Sequence, residues 1–157
     1  MMDDSTLEVL LQSLKQEDEY QRELATAALW QHWFYQKGEL GNQQLQDAQA
    51  LVDSGRIDAA EQLISTLVDE LPDFAEAWNR RAVLYYVQHR YREAMVDCEQ
   101  VIKLVPYHFG ALHGLGLCHA ALGQYAAAIQ TFRRALVVQP YALVNQRLIL
   151  ECTAQLS

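Results

Sequence analysis

Proline is almost missing from the 157 residues: there are three, beside seven glycines. So few breakers exclude a loop-rich or collagen-like chain and leave room for long helices. Cysteine is scarce as well. Cys98, Cys118 and Cys152 are odd in number, far apart and in no metal-ligand spacing, which argues against a disulfide framework and a zinc module. They read as small apolar core residues of a reducing compartment. No apolar run approaches the roughly 20 residues of a membrane span. Met1-Met2-Asp3-Asp4 places acid where a secretory leader carries base. The expectation is a cytoplasmic protein without a membrane span.

A concentrated basic face is also lacking. Residues 1–74 hold fifteen acids and four bases, net −11, while residues 75–157 hold five acids and eight bases, net +3, giving the overall −8. An acidic front half argues against binding a phosphate backbone, so no nucleic-acid partner is expected. Catalytic signatures are missing too: no phosphate-binding loop, no nucleophile elbow, no dinucleotide fingerprint and no His-Glu-x-x-His. His108, His113 and His119 cluster, but spacings of five and six put them on different faces of a helix, where they cannot share a metal. His119 reads as a core residue. Carboxylate pairs such as Asp69/Glu70 fall beside helix ends as solvated charge. Neither catalysis nor a cofactor or metal is expected.

What is present is an ordinary globular composition, 51% apolar and 20% charged, with a strong internal period. Pro72, Pro106 and Pro140 stand 34 residues apart. Ala60, Ala94 and Ala128 repeat at the same interval, as do Ile64, Cys98 and Phe132, and Leu67, Val101 and Ala135. Ile57, Tyr91 and Tyr125 keep a further register; Leu51, Tyr85 and His119 another; Ala48, Ala82 and Gly116 another. Small residues at fixed places let two antiparallel helices approach closely. Each proline ends a second helix, because it cannot donate the next backbone hydrogen bond and restrains the residue before it. The period predicts helices over 42–53, 57–70, 74–88, 91–104, 108–122 and 124–138, and a last one over 141–156. Asp53-Ser54-Gly55 and Leu122-Gly123 mark turns; His89 replaces the glycine in the middle unit, which predicts a strained turn there.

This pattern resembles the tetratricopeptide-repeat (TPR) family over residues 41–140, in units 41–74, 75–108 and 109–142. Trp78 and Tyr85 match the family's tryptophan and tyrosine, and Leu115-Gly116 its Leu-Gly pair; Gln44 departs from the large residue expected in unit one. The stretches Ala75-Glu76-Ala77-Trp78-Asn79-Arg80-Arg81-Ala82 and His108-Phe109-Gly110-Ala111-Leu112, after a helix ending in Trp30-x-x-Trp33, are similar to small bacterial TPR proteins. The resemblance implies an all-α fold, an α-solenoid of stacked hairpins whose C-terminal helix (141–157) covers the last unit.

Residues 1–40 depart from the repeat. Ser5-Thr6-Leu7-Glu8 reads as a capping box opening a helix over 6–15, and a longer helix runs from about Glu17 to Lys37 and stops at Gly38. Trp30, Trp33, Phe34 and Tyr35 are expected to pack this N-terminal cap onto 42–53 and 57–70, covering the open end of unit one.

The resemblance also implies a concave groove lined by the first helix of each unit. In unit two this gives Asn79, Arg80, Val83, Tyr86 and Val87; in unit three, His113 and Leu117; in the last helix, Val144, Arg147 and Leu148. Chaperone-binding members of the family grip a C-terminal carboxylate through Lys, Asn and Arg. Here Leu45 and Gln49 occupy the matching places in unit one, so that clamp is incomplete. An apolar strip with a few polar points suits a protein or peptide segment bearing an acidic or carboxylate group, met by Arg80 and Arg147. The expected role is a protein-interaction adaptor. The alternative is a self-associating assembly factor, a homodimer joined through the apolar last helix, where Leu143, Val144, Leu148, Ile149, Leu150, Cys152 and Leu156 crowd.

Overall fold

The computed structural model describes residues 2–157, and among them the chain forms nine α-helices and no strand. Two lie before the repeats, α1 (Asp4–Ser13) and α2 (Glu19–Phe34). Three hairpins follow: α3 (Gly38–Asp53) with α4 (Ile57–Glu70), α5 (Ala75–Val87) with α6 (Tyr91–Leu104), and α7 (Phe109–Ala121) with α8 (Tyr125–Val138). The last helix is α9 (Leu143–Leu156). Each packs chiefly on its sequence neighbours, which makes a one-dimensional stack. No helix among the described residues is long and apolar enough to cross a membrane.

The 34-residue period reappears in the backbone hydrogen bonds. Within each hairpin the N–H of Arg56, Arg90 or Gln124 reaches back to the carbonyl of Leu51, Tyr85 or His119 at 2.8–2.9 Å. This closure requires a left-handed residue just before it. Gly55 and Gly123 take φ of 80° and 75°, and His89 takes 59° at the same place. Histidine bears a Cβ that this conformation disfavours, so the strain expected in the middle turn is present. His89→Gly is expected to raise stability by about 1 kcal/mol, read as a higher urea midpoint with an unchanged slope; a lower midpoint would contradict it.

Close packing explains the small residues. Ala60, Ala94 and Ala128 are fully buried at the crossings. Opposite them, pairs trade volume: Ala48 with Ile64, Ala82 with Cys98, Gly116 with Phe132. Phe132 is the largest of its register, and a Cβ on Gly116 would lie 2.4 Å from its ring. Gly116→Ala is therefore expected to destabilise by about 1–3 kcal/mol in spite of alanine's better helix propensity. A thermal melt unchanged from the wild type would remove that account.

Several expectations are corrected. Ser5 is not the N-cap of α1. Asp3 is, its Oδ1 accepting the Thr6 N–H at 2.8 Å, because an ionised carboxylate two residues earlier meets the free N–H groups more strongly than a hydroxyl. Its hydrogen bond with Thr6 holds the Asp3 carboxyl below the usual range. The second helix is shorter than 17–37: Asp18 caps it, and a turn over 35–37 separates it from α3, which begins at Gly38 and not at 42. His119 is only half-buried, its Nδ1 2.7 Å from the Gln124 amide oxygen, so it is not a core histidine. The buried histidine is His108.

The largest correction concerns the N-terminal hairpin: Phe34 packs as expected beside Leu45, Leu67 and Val68 of the α3–α4 pair, but Trp30 and Trp33 do not. Helix α2 runs along the turns between units instead. Gln36 takes the Ala75 N–H and donates to the Asp73 carbonyl, Trp33 stacks on His108 at 4.0 Å, Trp30 packs on Phe109, and Arg22 lies over the Tyr141 ring. The twelve residue steps from Arg22 to Phe34 cover about 18 Å at the helical rise, and with the Gln36 contact just beyond them they carry the segment past the starts of α9, α7 and α5. Those turns set Tyr107, Phe109 and Tyr141 along one edge, where Trp30, Trp33 and Arg22 of α2 find aromatic partners.

Candidate partner-binding groove

Helices α3, α5 and α7 lie side by side and present one continuous inner face. Its polar anchor is a buried cluster at the start of α5. Glu76 and His108 are both fully buried. His108 caps α7: its Nδ1 accepts the Ala111 N–H at 3.1 Å, so the ring proton sits on Nε2 and is donated to Glu76 Oε2 at 3.1 Å. Glu76 Oε1 takes Asn79 Nδ2 at 3.2 Å and lies 3.3 Å from Arg80 Nε. Two neighbouring units are thus joined through one carboxylate.

Two hollows follow on that face. The first, about 230 Å³, lies between α3 and α5 and is lined by Leu45, Val52, Arg80, Val83 and Val87, among others. The second, about 190 Å³, lies between α5 and α7, with Asn79, Val83, Tyr86, His113 and Leu117 in its wall. Val83 and Val87 are 50% and 57% exposed, unusual for valines on a face walled by packed helices. Seven of the ten expected groove residues therefore converge. The other three do not join these hollows: Val144 and Arg147 lie out on α9, and Leu148 packs against the buried cluster of Ala128, Ile129, Phe132 and Cys152.

The two arginines are already engaged. Arg80 shares Glu76 and lies over the Phe34 ring at 4.8 Å, and Arg147 stands 3.5 Å from Glu151 on the exposed side of α9. Sequence reasoning missed Gln31, Phe34 and Tyr35, which α2 brings to the groove mouth opposite Asn42, Gln46 and Gln49. It also missed Cys98 and Cys118 in the second hollow, whereas Gly110 and Gly114 there are concave-face positions that the repeat register gives. All three cysteines are buried and unpaired. A hydrogen bond with Cys118, together with burial, pushes the Cys98 thiol well up. Among the described residues no three His, Cys, Asp or Glu side chains gather as metal ligands.

The pattern described as "Tetratricopeptide repeat" matches residues 75–108 and again 109–142. A TPR repeat-containing protein of Rhizobium etli is 34% identical over 96 residues, covering 61% of this chain and 47% of that protein. A BBSome complex member BBS4 homologue of Drosophila melanogaster is 29% identical over 80 residues, 51% of this chain and 16% of that one. The chain thus spans about half the length of the first relative and far less of the second. Among solved structures, the first TPR of Spaghetti (RPAP3) bound to an HSP90 peptide superposes with a TM-score of 0.69 at 18% identity, covering 72% of this chain and 90% of that one. The second TPR domain of human RPAP3, in complex with an HSP70 peptide, gives 0.66 at 21%, covering 70% and 92%. Stacked hairpins of one period, two of which match the repeat pattern over residues 75–142, make this fold an all-α tetratricopeptide-repeat solenoid.

Proposed function

We propose that the chain is a protein-interaction adaptor that holds a segment of another protein against the α3–α5–α7 face. The observation that carries this reading is the pair of exposed valines, Val83 and Val87, beside two hollows on one helical wall. Apolar area in a concave setting supplies attraction, and a few polar groups set orientation. The solved relatives that hold HSP90 and HSP70 peptides support a peptide-sized occupant. A carboxylate on the partner would meet Arg80, where it competes with Glu76, so the valines carry the reading further than the arginines do.

For the same reason Arg80→Glu is a poor test: it would set a second carboxylate beside buried Glu76 and unfold what it means to probe. Val83→Glu with Val87→Glu changes only exposed positions. The double variant is expected to keep its helical circular dichroism and to lose at least about tenfold of the partner captured from native lysate, as charges buried without partners should. Equal capture by both proteins would sink the groove reading.

A second reading has its own observation. Leu143 and Leu150, one heptad apart on α9, are 75% and 70% exposed, as on a helix awaiting a second copy. Light scattering at high concentration decides: a monomer in both wild type and Leu143→Lys/Leu150→Lys removes it.

A further inference from the structure

Helix α7 contains three glycines, each a cost to the helix because glycine loses more backbone freedom than alanine. Packing accounts for two. A Cβ on Gly116 would strike Phe132, and one on Gly110 would lie 2.6 Å from Trp30. At Gly114 a Cβ would meet only the Cys98 sulfur, at 3.4 Å, an ordinary contact. The fold does not need glycine there. What the missing side chain leaves is the second hollow, about 190 Å³, apolar over most of its wall and floored by the Cys98 and Cys118 thiols.

Its polar atoms say what would fill it. Asn79 is only 6% exposed and lines the hollow. Its Nδ2 is fixed on Glu76 Oε1, which settles the orientation of the amide, and among the described residues nothing donates to its Oδ1. His113 Nδ1 lies 2.7 Å from Asn145 Oδ1 and so donates to it, which in the neutral ring leaves Nε2 an acceptor. Both unfilled atoms therefore carry lone pairs. An anion would face these lone pairs with only the Tyr86 hydroxyl and weak thiol donors in the wall, and would lose its hydration. An aliphatic side chain would leave Asn79 Oδ1 buried and unsatisfied. An aromatic body with one N–H donor matches the volume, the sulfur floor and the acceptors together. A cavity of about 150 Å³ accepts benzene, and this one is larger.

We propose that the hollow is a subsite for a tryptophan side chain of the partner segment. The assignment rests on the groove reading above, but its test needs no partner, so the two can fail separately. Indole alone is titrated into the intact chain and followed by amide NMR, with benzofuran, a similar ring system without the N–H, as the comparison. Indole is expected to shift the amides of residues 110–118 saturably, and benzofuran to bind about tenfold more weakly for want of the hydrogen bond. Gly114→Leu fills the hollow and is expected to abolish the indole shifts with a melting temperature no lower than the wild type's. Should that variant misfold, Gly114→Ala, which adds only a contact at Cys98, is expected to weaken indole while leaving the remaining spectrum in place. No saturable shift in the wild type, equal binding of benzofuran, or unchanged indole binding in a folded Gly114 variant would each overturn the subsite.

Discussion

Trp33→Ala is expected to lower unfolding free energy by about 3–5 kcal/mol, a large share of what a single domain possesses. Trp33 is buried between Leu14, Leu29 and Phe109 and lies flat on His108. It is the point at which α2 grips the turn between units two and three. Truncation would open a cavity, expose the His108 ring and loosen the capping of α7. Urea unfolding measures the loss, and amide exchange locates it: protection at Ala111 and Leu112 should fall before protection in α4 does. The indole N–H supplies a control, since Trp33 Nε1 is buried with no acceptor among the described residues. Trp33→Phe keeps most of the packing and removes that unsatisfied donor, so its cost should be well below the alanine variant's. Equal losses in the two variants would mean that the ring's packing is not what holds the hairpin down. A loss under about 1 kcal/mol for Trp33→Ala would mean that α2 contributes little to the stack.

That helix also marks where the sequence stops being legible. Period and composition reveal a helix with an aromatic face, because Trp30, Trp33 and Phe34 recur at helical spacing. They do not say which surface will receive it. Three equivalent turns, at Pro72, Pro106 and Pro140, compete with the open side of unit one, and the choice depends on Tyr107, His108 and Phe109 standing together on one edge after folding. Such a contact, Trp33 on His108, spans 75 residues, and no local rule reaches it. The repeat itself is the opposite case. Its registers are set by neighbours 10–20 residues apart within a hairpin, so Ala94 beneath α5 or the left-handed turn at His89 can be read directly. The groove lies between these limits. Val83, Tyr86 and Leu117 follow from their places in each unit. Gly114 reads like Gly110 and Gly116 until Phe132 and Trp30 are seen to require the other two.

The second large effect lies on the far side of α5, away from the groove. Arg81 grips Asp97 with two hydrogen bonds, Nε to Oδ2 at 2.8 Å and Nη2 to Oδ1 at 3.0 Å, and also reaches Ser65 of α4. It thereby joins units one and two across α4, α5 and α6. Asp97 is almost entirely buried, and among the described residues Arg81 is its only side-chain partner. Burial pushes the Asp97 carboxyl above its ordinary range even with the guanidinium beside it, while its hydrogen bond to Asp97 holds Arg81 up. Arg81→Ala would leave a buried charge uncompensated, and the expected loss is about 3–5 kcal/mol at neutral pH. Acid should relieve part of it. A carboxyl whose folded pKa is raised binds its proton more tightly folded than unfolded, so stability falls as pH rises through the window between the two values and is regained below it. Without Arg81 that window widens upward. Urea midpoints of Arg81→Ala should therefore approach the wild type's between neutrality and pH 5, and Arg81→Met with Asp97→Leu should recover most of the loss at neutral pH by removing the charge altogether. If the single variant is equally weak at both pH values, the deficit is lost packing of Arg81 against Trp78 and Tyr85, and the buried carboxylate is not its cause.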